Sequence, residues 1–80
     1  MKIEEIKKAI YLHRHSKLKI VKIVNDIRGG GLKESKNIVD KYYNSDNLDN
    51  AYLARDIINH LRNSNEWDIV KRNIKKLNIL

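Results

Sequence analysis

Lys17–Asp40, KLKIVKIVNDIRGGGLKESKNIVD, is the stretch whose reading decides the fold of this 80-residue chain. Its first half places Ile20, Ile23, Val24 and Ile27 at helical spacing, with Leu18 and Val21 beside them. Apolar residues three and four apart line one side of a helix. Ser16 stands just before them, where a hydroxyl can accept an amide hydrogen left orphaned at a helix start. Gly29-Gly30-Gly31 then ends the helix. Glycine enters the left-handed cap conformation without the roughly 1–2 kcal/mol that a Cβ costs there. A second helix is expected from Leu32, burying Leu32, Ser35, Ile38, Val39 and Tyr42. The whole reads as helix, glycine corner, helix. Lys17, Lys22, Lys33 and Lys36 lie along one exposed face of it.

Outward from this hairpin the signals weaken. Asn44-Ser45-Asp46-Asn47 is a turn cluster. Asp49 is the expected N-cap of a third helix with Leu53, Ala54, Ile57, Ile58 and Leu61 on its apolar side, and Asn63-Ser64-Asn65 breaks it. In the next run Trp67 and Ile69 alternate with Glu66, Asp68 and Val70, which reads as a short strand. The rival is a last helix with Trp67, Val70, Ile74 and Leu77 on one side. Residues 3–12 are equally two-sided. Ile3, Ile6 and Ile10 suit a helix, whereas Ile6, Lys8, Ile10 and Leu12 line one face of a strand. Residues 71–80 are basic and apolar by turns, a tail or a terminal helix.

Composition narrows the function classes. A domain of this size buries only roughly 60% of the surface its unfolded chain exposes, which leaves little core to spare for enclosing a metabolite. The formal charge of +7 favours an acidic partner, whether a phosphate backbone, an anionic membrane surface or an acidic protein patch. Cysteine is absent, so there is no disulfide framework and no thiolate zinc site. The charged start, Met1-Lys2-Ile3-Glu4-Glu5, is unlike a signal peptide, and no run approaches the ~20 apolar residues of a membrane span. The expectation is a single cytoplasmic domain, residues 1–80, with no cofactor. A chain rich in Lys, Asn and Ile and without Pro or Phe is what AT-rich coding sequences of phages and low-GC bacteria give.

Lys17–Asp40 resembles the C-terminal domain of the bacterial large-subunit ribosomal stalk protein, without a gap. Matching positions are Lys17, Lys22, Val24, Gly31, Leu32, Lys33, Glu34, Lys36 and Val39, with conservative replacements at Leu18, Ile20, Val21, Ile38 and Asp40. The Gly-Leu-Lys-Glu-x-Lys core is the most specific part. Asp49–Leu61 looks more faintly like that family's third helix, Trp67–Lys71 falls where its last strand would be, and only Ala9–Leu12 could stand in for its first. The resemblance implies an α+β fold, a small sheet with a three-helix layer; the alternative is an all-α bundle of four or five helices. It also implies that the hairpin's exposed face recruits a translational GTPase. Lys17, Leu18, Val21, Lys22 and Lys36 would belong to that face, and Gly31 would permit close helix packing. Asn25 stands where the family has an arginine of the contact surface. The family's N-terminal dimerisation helices and flexible hinge have no counterpart in this sequence, which suggests a stand-alone relative, phage-encoded for example.

The candidate partner-binding residues are therefore Lys17, Leu18, Val21, Lys22, Asn25, Lys33 and Lys36, around the corner Gly29, Gly30 and Gly31. An apolar side chain left open among lysines is how a small hot spot is built. The same segment, residues 17–43, also reads as a helix-turn-helix, with Lys33, Lys36, Asn37 and Lys41 towards bases and phosphates of nucleic acid. Other chemistry is thin. His13 and His15 lack a third ligand, and His60 suits the end of a helix. Ser16, Ser35, Ser45 and Ser64 have no base nearby, so an enzyme is not expected. Tyr42, Tyr43, Tyr52 and Trp67 read as closing a small core.

Overall fold

The computed structural model describes residues 3–47 and 52–77. Five helices are present among them: α1 (Ile3–Leu12), α2 (Lys17–Arg28), α3 (Leu32–Tyr42), α4 (Tyr52–Arg62) and α5 (Trp67–Lys76). α1, α3 and α5 each pack against both α2 and α4. Ile6, Ile10, Ile20, Val24, Ile27, Val39, Ile57, Ile58, Leu61 and Val70 are wholly buried where these helices meet. Each such side chain contributes roughly 1.5–3 kcal/mol relative to staying in water.

The expected sheet is absent. No strand occurs among the described residues, so the α+β reading is corrected to the alternative, an all-helical bundle. Burial shows why. In α1, Ile6, Ala9 and Ile10 are buried while Lys8 and Leu12 face water. A strand would have put Lys8 and Leu12 on the same face as Ile6 and Ile10. In α5, Val70 and Ile74 are buried, whereas Ile69, which the strand reading paired with Trp67, is 48% exposed. Short apolar runs fit either period, and a strand needs neighbours to be stable. The neighbours available here are helices.

Local signals set the helix ends. The Ser16 hydroxyl accepts the Lys19 amide at 3.4 Å, as an N-cap should. Gly29 closes α2 in the left-handed region at φ 74°, its amide bonded to the Asn25 carbonyl at 2.6 Å. Asn44 accepts from Asp46 and Asn47 in the turn after α3. Ser64 bonds the Leu61 carbonyl after α4 and accepts the Glu66 amide ahead of α5. The proposed Asp49 cap lies outside the described residues. So do residues 78–80 of the basic tail, whose described part belongs to α5 and to Leu77 just past it. Asn73 ties α5 to the end of α2 by donating to the Ile27 carbonyl at 3.0 Å.

Candidate docking groove on the α2–α3 hairpin

Two structures are built on the α2–α3 pair, one closed and one open. The closed one lies at the glycine corner. Arg28 is buried, its side chain only 2% exposed. Nε and Nη2 form a fork on the two Glu66 oxygens at 2.8 and 2.9 Å. Nη2 also meets Glu34, and Nη1 donates to the Ser35 hydroxyl, both at 2.9 Å. A guanidinium taken from water is strongly destabilising unless its donors find partners in good geometry. Here they do, and no buried side-chain nitrogen or oxygen among the described residues lacks a partner. The hydrogen bond from Arg28 holds the Glu66 carboxyl below the usual glutamate range, and Glu66 in turn raises the Arg28 pKa.

Asn25 belongs to this closed side. Its Oδ1 accepts the Gly31 amide at 3.0 Å and the Ser35 hydroxyl at 3.4 Å. An arginine at that position has no acceptor to offer. The glycine there serves backbone geometry: Gly31 sits at φ 103° and ψ 150°, a region essentially reserved for glycine. The close packing implied for Gly31 is not found, since a Cβ there would meet nothing within 4 Å. Gly30 is the crowded one, where a Cβ would stand 3.0 Å from the Arg28 guanidinium.

The open structure is a groove of about 490 Å³ lined by Lys17, Leu18, Val21, Leu32, Lys33 and Lys36. Each helix contributes residues at i, i+1 and i+4, which share a face. Val21, 4% exposed, makes the floor, and Leu18 and Leu32 form walls that are 63% and 52% exposed. Lysine ammonium groups fringe it. Lys17 pairs with Asp40 Oδ1, and Lys36 pairs with Asp40 Oδ2 at 2.9 Å. Hydrogen bonding from Lys17, then Lys36, lowers the Asp40 pKa below its ordinary value. Lys33 has no ion pair among the described residues.

The structure thus brings together five of the seven sequence candidates, Lys17, Leu18, Val21, Lys33 and Lys36. Lys22 is exposed but does not line the groove, and Asn25 is half-buried at the corner. Leu32 was expected inside. Ser35 and Val39 take the buried positions of α3, and Leu32, the helix's first residue, remains outside as a wall. Asp40 is not among the seven candidates. Its spacing of four from Lys36 was a legible pairing signal, but its contact to Lys17 depends on the hairpin closing.

Other depressions among the described residues are more polar. One of about 420 Å³ is lined by Tyr42, Asp56, Asn59, His60, Asn63 and Ser64. There Tyr42 and His60 share a 2.8 Å hydrogen bond to Nδ1 that joins α3 to α4. No group of three His, Asp or Glu residues among the described residues could hold a metal ion, and none of the described helices is long and apolar enough to cross a membrane. No family profile, curated protein or solved structure matches this chain.

Proposed function

We propose that this chain is a non-enzymatic protein-binding module that docks the α2–α3 hairpin on an acidic protein surface. The observation that carries the proposal is the open apolar groove with lysines on its rim. Apolar surface left in water inside a ring of charge supplies both parts of a small interface. Leu18 and Leu32 provide affinity by leaving water over the floor that Val21 makes, while the ammonium groups provide steering and partner choice. A translational GTPase is the partner suggested by the local likeness of Lys17–Asp40 to the stalk protein, a likeness that concerns the hairpin and not the rest of the fold. Another acidic component of the host cell's machinery would suit the same chemistry.

The test uses purified bacterial elongation factors and the immobilised chain. The double variant Leu18→Ser with Lys33→Glu should lose capture, because it removes one wall and reverses the unpaired rim charge. Its melting should stay near that of the parent, since both side chains are exposed. Capture that survives the double change moves the docking surface elsewhere. Failure of the parent chain to capture any factor removes the GTPase.

Nucleic-acid binding is the second reading, favoured by the exposed cations of α5: Lys71, Arg72, Lys75 and Lys76. On α3, exposed Lys33, Lys36, Asn37 and Lys41 share the helix surface with Glu34 and Asp40, which weakens its case as a recognition helix. Binding to random duplex DNA that falls by orders of magnitude from low to moderate salt would support phosphate neutralisation. Absence of binding at low salt would remove this reading.

A further inference from the structure

Resting on the reading of the groove as a docking site, we infer that Asp40 is its built-in counter-ion. It occupies Lys17 and Lys36 until a partner's carboxylate shares or replaces it. The occupant is a protein segment with an apolar side chain flanked by Asp or Glu. A single carboxylate spans the two helices here, with Oδ1 on Lys17 of α2 and Oδ2 on Lys36 of α3. Three rim cations less this one anion leave a local excess of two positive charges. An ammonium has three donors, so each lysine can still receive a second acceptor. The site is therefore cationic, but its strength is set from within the chain.

The charges also choose among occupants. A second copy seated symmetrically on this groove would bring the two lysine rims together, and like charges juxtaposed in an interface oppose association. A nucleic acid would satisfy the lysines but press phosphates against Leu18, Val21 and Leu32. An acidic segment with an apolar anchor satisfies rim and floor together.

The experiment follows amide shifts of the isotope-labelled chain against two synthetic helical peptides. Both carry the same leucines, flanked by glutamates in one and by glutamines in the other. The glutamate peptide should shift Leu18, Leu32 and Lys33, and Asp40→Asn should tighten it by up to about fivefold at low salt, the range of an exposed ion pair. That gain should shrink as salt is raised and be missing with the glutamine peptide. Lys33→Gln should weaken the glutamate peptide with or without Asp40.

Groove shifts with no tightening in Asp40→Asn would overturn the counter-ion role and leave the groove reading standing. Silence of the groove towards both peptides, in parent and variant alike, would overturn the groove reading itself. Groove shifts on concentrating the chain without peptide would replace the acidic segment by a second copy. Displacement of the peptide from those residues by duplex DNA would replace it by nucleic acid.

Discussion

Arg28 and Lys33 stand five residues apart across the glycine corner, yet they use positive charge in opposite ways. Arg28 is sealed from water and every nitrogen of its guanidinium finds an oxygen on Glu66, Glu34 or Ser35. Lys33 stands in water at the edge of an apolar groove, with no ion pair among the described residues. The first is a fixed joint among α2, α3 and the turn before α5. A charge whose partners are internal holds the chain together, and a charge left open has its interaction energy available to something else. The contrast also explains the two apolar environments. At the joint, burial would be ruinous without partners; at the groove, Leu18 and Leu32 stay exposed because nothing among the described residues covers them.

The largest effect should come from breaking the joint. Glu66→Ala leaves Arg28 buried with only Glu34 and Ser35, and should cost about 3 kcal/mol in denaturant unfolding, the low end for a broken buried pair because Glu66 is partly exposed. Acid probes the same contact. The folded-state pKa of Glu66 is depressed, so its contribution is present above the ordinary glutamate range and is lost as pH falls through the lowered value. Stability of the parent should therefore fall more between neutral pH and pH about 3 than that of Glu66→Gln, with ordinary glutamate titrating near about 4.3. Equal acid losses in the two proteins would remove Glu66 as the joint's titrating partner.

A smaller loss is expected from the backbone conformation of the corner. Gly31→Ala meets no steric obstacle but holds a Cβ at φ 103°, and should cost about 1–2 kcal/mol. A loss below the error of the melt would mean the corner relaxes easily. The smallest effect on stability belongs to the groove: Leu18→Ser with Lys33→Glu should stay within about 0.5 kcal/mol of the parent while abolishing docking. A large loss of stability there would place the groove with the joint as part of the scaffold.

Much of the hairpin is legible in the sequence. The stripe Ile20, Ile23, Val24 and Ile27, the Ser16 cap and the Gly29 stop are local features, and each acts through neighbours within a few residues. Lys17, Leu18 and Lys36 were candidates through the local resemblance and Lys33 through the lysine face; that they line one groove depends on how α2 meets α3. Residues 3–12 and 67–76 were not legible. Their short apolar runs fit both periods, alternation at Trp67 and Ile69 favoured a strand there, and the resemblance to a sheet-containing family added the α+β fold that the helices overturn. Nothing near Arg28 in sequence marks a basic residue at a helix end as buried. Its fork partner, Glu66, is 38 residues away.

By itself the sequence determined where α2 begins and ends, where α3 begins, where α4 stops, the placement of a glycine corner, and an excess of positive charge. These follow from periodicity, capping and backbone conformation, which are settled between residues close along the chain. Only the tertiary structure decided that the ambiguous segments are helices, that Asn25 and Arg28 face inward, that Leu32 faces outward, and that Asp40 bridges two lysines. Those outcomes depend on which helices happen to cover a given side chain, and burial is a property of the assembled bundle.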